Sequence, residues 1–154
     1  MPRLSSDRTL PKAITNLRLS SALKHCGATS IEDAFDKSTA CNLYVYDKLE
    51  EKYSDWTDCQ PANPAKYFRA KNPNELTLVL VPLDNRTITG RNITQQGICD
   101  CMLLTEKEIS FIEFKTNVES TSYLNFIDKA NNAIQQLWHT YEGIIKPRCC
   151  KVLQ

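Results

Sequence analysis

The sequence predicts a single α/β domain in which a small mixed sheet is flanked by helices, with an extra helical segment at the N-terminus. Three observations carry that expectation. Leu76-Thr77-Leu78-Val79-Leu80-Val81 is a short, nearly continuous apolar run of the kind that forms a strand covered on both faces. Residues 98–104 and 109–115 are two further apolar runs, separated by the polar Thr105-Glu106-Lys107-Glu108. Before and after these runs, apolar side chains recur at helical spacing. With 154 residues, 42% of them hydrophobic, the chain has the size and composition of one globular domain.

The elements follow in order. Residues 1–11 carry Pro2 and Pro11 and few apolar side chains, and residues 12–25 suit a short helix ending near Gly27; together residues 1–29 form an N-terminal extension to a core spanning 30–154. Ser30-Ile31-Glu32-Asp33 reads as a helix start, with Ser30 as N-cap and acids in the first turn. Ile31, Ala34, Phe35, Cys41, Val45 and Leu49 extend that helix to about residue 54. Pro61, Pro64 and Pro73 make 57–74 mostly loop. The strand at 76–81 follows, then a polar loop at 84–96, then a hairpin of 98–104 and 109–115. Leu124, Ile127, Ile134, Leu137, Trp138, Tyr141 and Ile145 form the apolar face of a second long helix, 121–144, closed by Gly143 and Pro147, with Trp138 and Tyr141 as core residues. Cys149 to Leu153 adds a short edge strand.

Net charge is +1, which excludes a strongly basic nucleic-acid binder overall. The charge is nevertheless segmented: residues 1–24, 61–96 and 144–154 carry +4, +3 and +3, while 25–60 and 97–143 carry −5 and −4. Basic blocks that converge in the fold would still bind a polyanion locally. The N-terminus has no apolar secretory region, and no run is long enough to span a membrane, so a cytoplasmic protein is expected. The seven cysteines lack framework or zinc-site spacing and read as reduced thiols.

The informative feature is three charged residues inside two apolar strands: Asp100, Glu113 and Lys115. Strand alternation puts Glu113 and Lys115 on one face. On the partner strand it puts Asp100 with Met102 and Leu104, and Cys99 with Cys101 and Leu103 on the other side. A two-residue turn at Glu106-Lys107 and a four-residue loop at 105–108 both set Asp100 directly opposite Glu113, with Cβ atoms roughly 4.5–5.5 Å apart. Like charges so placed repel, and Lys115 offsets that only in part. A structural ion cluster is one resolution. The other is a hard divalent cation, Mg²⁺ or Mn²⁺, held between the carboxylates.

Asp100, twelve intervening residues and then Glu113-Phe114-Lys115 resembles the signature of the PD-(D/E)XK nucleases, the restriction-endonuclease-like superfamily. Gly97-Ile98-Cys99-Asp100 is similar to the Gly-x-x-Asp form of its first motif, and the expected element order resembles its αβββαβ core. Residue 99 is Cys rather than Pro, and Gln136 and Tyr141 stand five apart where some branches keep a Gln and a Tyr four apart. The resemblance implies a Mg²⁺-dependent nuclease acting on DNA. Asp100 and Glu113 would ligate the metal with the Phe114 backbone carbonyl, Glu32 or Glu50 would supply a further acid, and Lys115 would serve the attacking water. Candidate nucleic-acid contacts are Arg86, Arg91, Gln95 and Gln96 before Asp100, together with Lys66, Arg69 and Lys71 in a basic and aromatic stretch. Duplex cleavage needs two sites, which fits a homodimer with no legible interface. The alternative is an inactive nuclease-like fold that binds nucleic acid or protein.

Overall fold

The computed structural model describes residues 8–63, 66–115 and 122–149. The apolar run of the sequence becomes β5 (Leu78–Pro82), and its alternation decides the architecture. Val79 and Val81 face one core cluster, and Leu78 and Leu80 face another. This strand is covered on both faces, as its unbroken hydrophobicity predicts.

β5 lies inside a four-stranded sheet ordered β1 (Asp36–Ser38), β5, β6 (Cys101–Leu104), β7 (Ile109–Ile112). A second sheet is ordered β3 (Tyr53–Thr57), β2 (Asn42–Lys48), β4 (Tyr67–Lys71). The two pack through Leu43, Val45, Trp56 and Ala70 against Leu78, Leu80, Cys101, Leu103 and Ile112. Trp56 also donates its indole N–H to Asp36 Oδ2 at 2.6 Å, tying β3 to β1. On the other face of the first sheet lie α1 (Lys12–Asn16), α2 (Leu19–Leu23) and α3 (Ile31–Ala34), which contribute Ile14, Leu19, Leu23 and Ile31. After a short α4 (Arg91–Thr94) and the hairpin come α5 (Tyr123–Trp138), a π-helical stretch (His139–Ile145) and α6 (Lys146–Cys149). No helix among the described residues is long and apolar enough to cross a membrane.

The α/β class holds, but several elements differ from expectation. Among the described residues the sheets are not mixed: each pairing between strands is antiparallel. The helix expected over 31–54 stops at Ala34, and three strands follow. Asp36, Lys37, Ser38 and Thr39 are poor continuers of a helix, and Leu43-Tyr44-Val45-Tyr46 is β-branched and aromatic. The loop expected over 57–74 contains β4. The helix expected over 12–25 is two helices, broken where Arg18 takes a left-handed φ of 52°. Cys149 ends a helix rather than starting a strand, and the rest of that expected strand lies outside the described residues.

The hairpin is as expected in register. Cys101 pairs with Ile112 and Leu104 with Ile109, and one residue past the last pair that register sets Asp100 opposite Glu113. The loop lacks Asn-Gly but is closed by Thr105: its hydroxyl accepts from the Lys107 and Glu108 N–H groups, and its own N–H donates to the Glu108 carbonyl.

Candidate active site

Asp100 and Glu113 stand at the open end of the hairpin, one residue beyond the strands. There the chain leaves the ladder. The backbone of residues 97–99 is served instead by side chains from α5 and the π-helical stretch. His139 Nδ1 lies 2.6 Å from the Gly97 carbonyl, Gln136 Nε2 donates to the Ile98 carbonyl at 3.4 Å, and the Cys99 N–H donates to Thr140 Oγ1 at 2.8 Å. Gly97 is required here, because it has φ +77° and an added Cβ would lie 2.9 Å from Gln136 Cγ. The bend at Asp100 also moves Cys99. It joins Met102 and Leu104 in the helix-side cluster, while Cys101 lies between the sheets. The two cysteines therefore do not share a face, a correction to simple alternation. Burial pushes the Cys99 thiol up to about 12 and raises that of Cys101 as well, so neither offers a thiolate.

The charged residues are brought together. The Glu113 side chain is only 4% exposed. Its Oε1 accepts from Lys115 Nζ at 2.5 Å, while Oε2 is buried without a hydrogen-bond partner. Lys115 Nζ also donates to Gln136 Oε1, which fixes the ammonium between β7 and α5. Asp100 Oδ2 accepts the Phe114 N–H. Burial, above all, pushes the Asp100 carboxyl up to about 7; the Phe114 N–H opposes this, and the nearby charges of Glu113 and Asp47 add to it. Burial raises the Glu113 carboxyl too, against the pull of Lys115.

Two further acids belong to this field and were not legible as such. Asp47, on β2, is half-buried and raised by burial, and its charge reaches both Asp100 and Asp84. Asp84 follows β5; its carboxyl is raised chiefly by burial, and its N–H, like that of Leu83, donates to the Asp100 carbonyl. A signal for Asp47 existed, since it is the acid in the strand Asn42–Lys48, but reading this stretch as helix concealed it. Among the described residues no three His, Cys, Asp or Glu side chains gather closely enough to form a ready-made metal cage.

The remaining predicted residues scatter. The Glu32 carboxyl is held below its usual range by its own backbone N–H and by Ser20, and Glu50 is exposed in the turn between β2 and β3. Arg86 stacks 4.4 Å over the Tyr53 ring and donates to the Asp33 carbonyl. Arg91, Gln95 and Gln96 are exposed on the segment that leads through Gly97 to Asp100. Gln96 lines a hollow of about 580 Å³ with Gln135, Trp138, His139, Glu142 and Gly143. Lys66, Arg69 and Lys71 are exposed at β4 instead, and Arg69 is held by Asn42. Lys71 pairs with Asn42, at the end of β2 away from Asp47. The stretch 66–71 therefore does not converge as a block on the carboxylates.

No family model, curated protein or solved structure matches the chain, so the site is read from its own residues.

Proposed function

We propose that the chain is a Mg²⁺-dependent nuclease that hydrolyses DNA phosphodiester bonds with Asp100, Glu113 and Lys115. One observation carries this reading: a buried Glu113 carboxylate with one oxygen lacking a hydrogen-bond partner, beside a half-buried Asp100 whose carboxyl its charge reaches. Lys115 serves Glu113 Oε1 and the Phe114 N–H serves Asp100 Oδ2, which leaves Glu113 Oε2 as the acceptor to be filled. Two acids with Asp47 and Asp84 nearby face one ammonium, and an orphaned buried acceptor costs about 1–3 kcal/mol. The donor set is all oxygen and anionic, which fits a hard divalent cation.

Bound between the carboxylates, Mg²⁺ would supply Lewis-acid polarisation of the phosphate and a more acidic water. The protein's own part is placement. Paired strands hold Asp100 and Glu113, and the Phe114 N–H orients Asp100. Gln136 and Glu113 together keep the Lys115 ammonium aimed at the place where charge would develop on a phosphoryl oxygen. Arg91, Gln95 and Gln96 would grip the phosphates beside it.

The test is cleavage of plasmid and single-stranded DNA with and without Mg²⁺. Lys115→Ala and Glu113→Gln are each expected to lower the rate by about 10²–10³-fold. Activity that survives both substitutions, or that ignores Mg²⁺, overturns the reading.

A further inference from the structure

Helix α5 turns its apolar stripe away from the rest of the protein. Tyr123, Leu124, Phe126, Ile127, Ile134 and Trp138 fall within one half of the helix surface, and no residue of the helix is fully buried. Tyr123, Leu124, Phe126, Ile134 and Trp138 are 75%, 71%, 56%, 62% and 63% exposed. This corrects the expectation that Trp138 is a core residue. Inward α5 turns Leu137, which packs on the helix-side core cluster, and the polar Gln136, which with Thr140 just beyond meets the backbone at 97–99.

At about 200 Å² for each large side chain, the five exposed residues present roughly 650 Å² of apolar surface, above the few hundred usual for a monomer. We infer that this face is the interface with a second copy of the chain, α5 packing antiparallel to its mate across a two-fold axis near Ala130 and Asn131. The area fits: two such faces bury roughly 1,300 Å², just past the 1,200 Å² at which specific interfaces begin. The chemistry fits as well. Asp128 and Lys129 are the helix's sole charged residues, whereas a bilayer-surface helix or a nucleic-acid groove is rich in Lys and Arg. The spacing is close to self-complementary, as a two-fold contact requires. Tyr123 meets Trp138 of the other copy, and Ile127 meets Ile134. Ala130 at the axis lets the helices approach closely. The inference is independent of the nuclease reading, since a dimer without activity upholds it and an active monomer overturns it.

Sedimentation of the full chain from about 1 to about 100 µM tests it. The expected mass is twice 17.6 kDa. Ile134→Glu is expected to raise the dimer Kd by at least about 30-fold. Adding Ile127→Lys restores pairing, because the new charges then meet across the axis. Helicity is followed by circular dichroism. If Ile134→Glu loses it, Trp138→Ala, which favours the helix, is expected to weaken the dimer in its place. A monomer at every concentration overturns the inference, as does a dimer indifferent to both Ile134→Glu and Trp138→Ala. A monomer that binds neutral lipid vesicles through this face assigns it to a bilayer surface and overturns the inference too.

Discussion

The two ends of the β6–β7 hairpin are stabilised by different means. The closed end is self-sufficient: Thr105 serves the turn from within, and Glu106, Lys107 and Glu108 are exposed to water. The open end depends on residues far along the chain. His139, Gln136 and Thr140 satisfy the backbone at 97–99, and Gln136 also fixes Lys115. Charges at the closed end face water; at the open end burial raises the Asp100 and Glu113 carboxyls. A strand end closed by its own loop has nothing left to offer a ligand. One that is propped open by a distant helix leaves a carboxylate oxygen, Glu113 Oε2, without a donor, and such an acceptor is costly to bury unfilled.

The largest expected effect breaks this contrast from the open side. Asp100 and Glu113 bind a proton more tightly in the folded protein than in the unfolded chain. Their contribution to stability is therefore present at low pH and is lost as pH rises from about 4, the unfolded value, towards the raised folded values. Mg²⁺ binding the ionised pair reverses the loss, by about 2.7 kcal/mol at 100 times its Kd. Melting temperature is expected to fall between pH 5 and pH 7.5 without metal, and to recover with Mg²⁺ at pH 7.5 but not at pH 5 (about pH values chosen to bracket the titration). Asp100→Asn should flatten both responses. A melting temperature that climbs across this window and ignores Mg²⁺ removes the basis for the metal site.

Thr140→Val tests the prop itself. The shape is kept, but the Cys99 N–H loses its acceptor and the hydroxyl no longer reaches the Gln136 carbonyl. The expected loss is about 1–3 kcal/mol, or roughly 2–10 °C in calorimetry. An unchanged melting point would mean that the π-helical stretch after α5 does not hold the open end. Gln136→Ala should cost less and should act on rate: Lys115 keeps Glu113 but loses its second anchor. A kcat about tenfold lower, or about 1.4 kcal/mol, with KM unchanged is expected. An equal rise in KM would make Gln136 a substrate contact instead.

The same contrast explains what the sequence disclosed. The hairpin register follows from local rules, the length of the loop and the alternation of Met102 and Leu104 against Cys101 and Leu103, so Asp100 opposite Glu113 was legible. The partners of the open end come from a helix more than thirty residues away, and nothing local marks Gln136 or Thr140 as inward-facing. Periodicity correctly identified α5 as a helix but misjudged its orientation, because hydrogen bonds to an unladdered backbone outweighed the apolar stripe. The second sheet was missed for a different reason. Ile31, Ala34, Val45 and Leu49 match helical spacing by selection, while the β propensity of Leu43–Tyr46 is the stronger local signal. That error hid Asp47, the acid on β2 that reaches the site.

The smallest effect is expected at the closed end. Thr105→Ala removes the hydroxyl that accepts from Lys107 and Glu108, two exposed bonds at 3.2 and 3.0 Å, but leaves the Thr105 N–H bonded to the Glu108 carbonyl. Water replaces exposed bonds readily, so the cost should be about 0.5–1 kcal/mol. Register should survive. A one-residue slip would carry Met102 and Leu104 into the space between the sheets and Cys101 and Leu103 under the helices, exchanging two packed cores. Asp100 therefore stays opposite Glu113, and DNA cleavage is expected to remain within about twofold of the parent while the melting point drops by only about 1–4 °C. A variant with little thermal loss but a collapsed cleavage rate would show that the turn, rather than the two cores, sets the register on which the carboxylate pair depends.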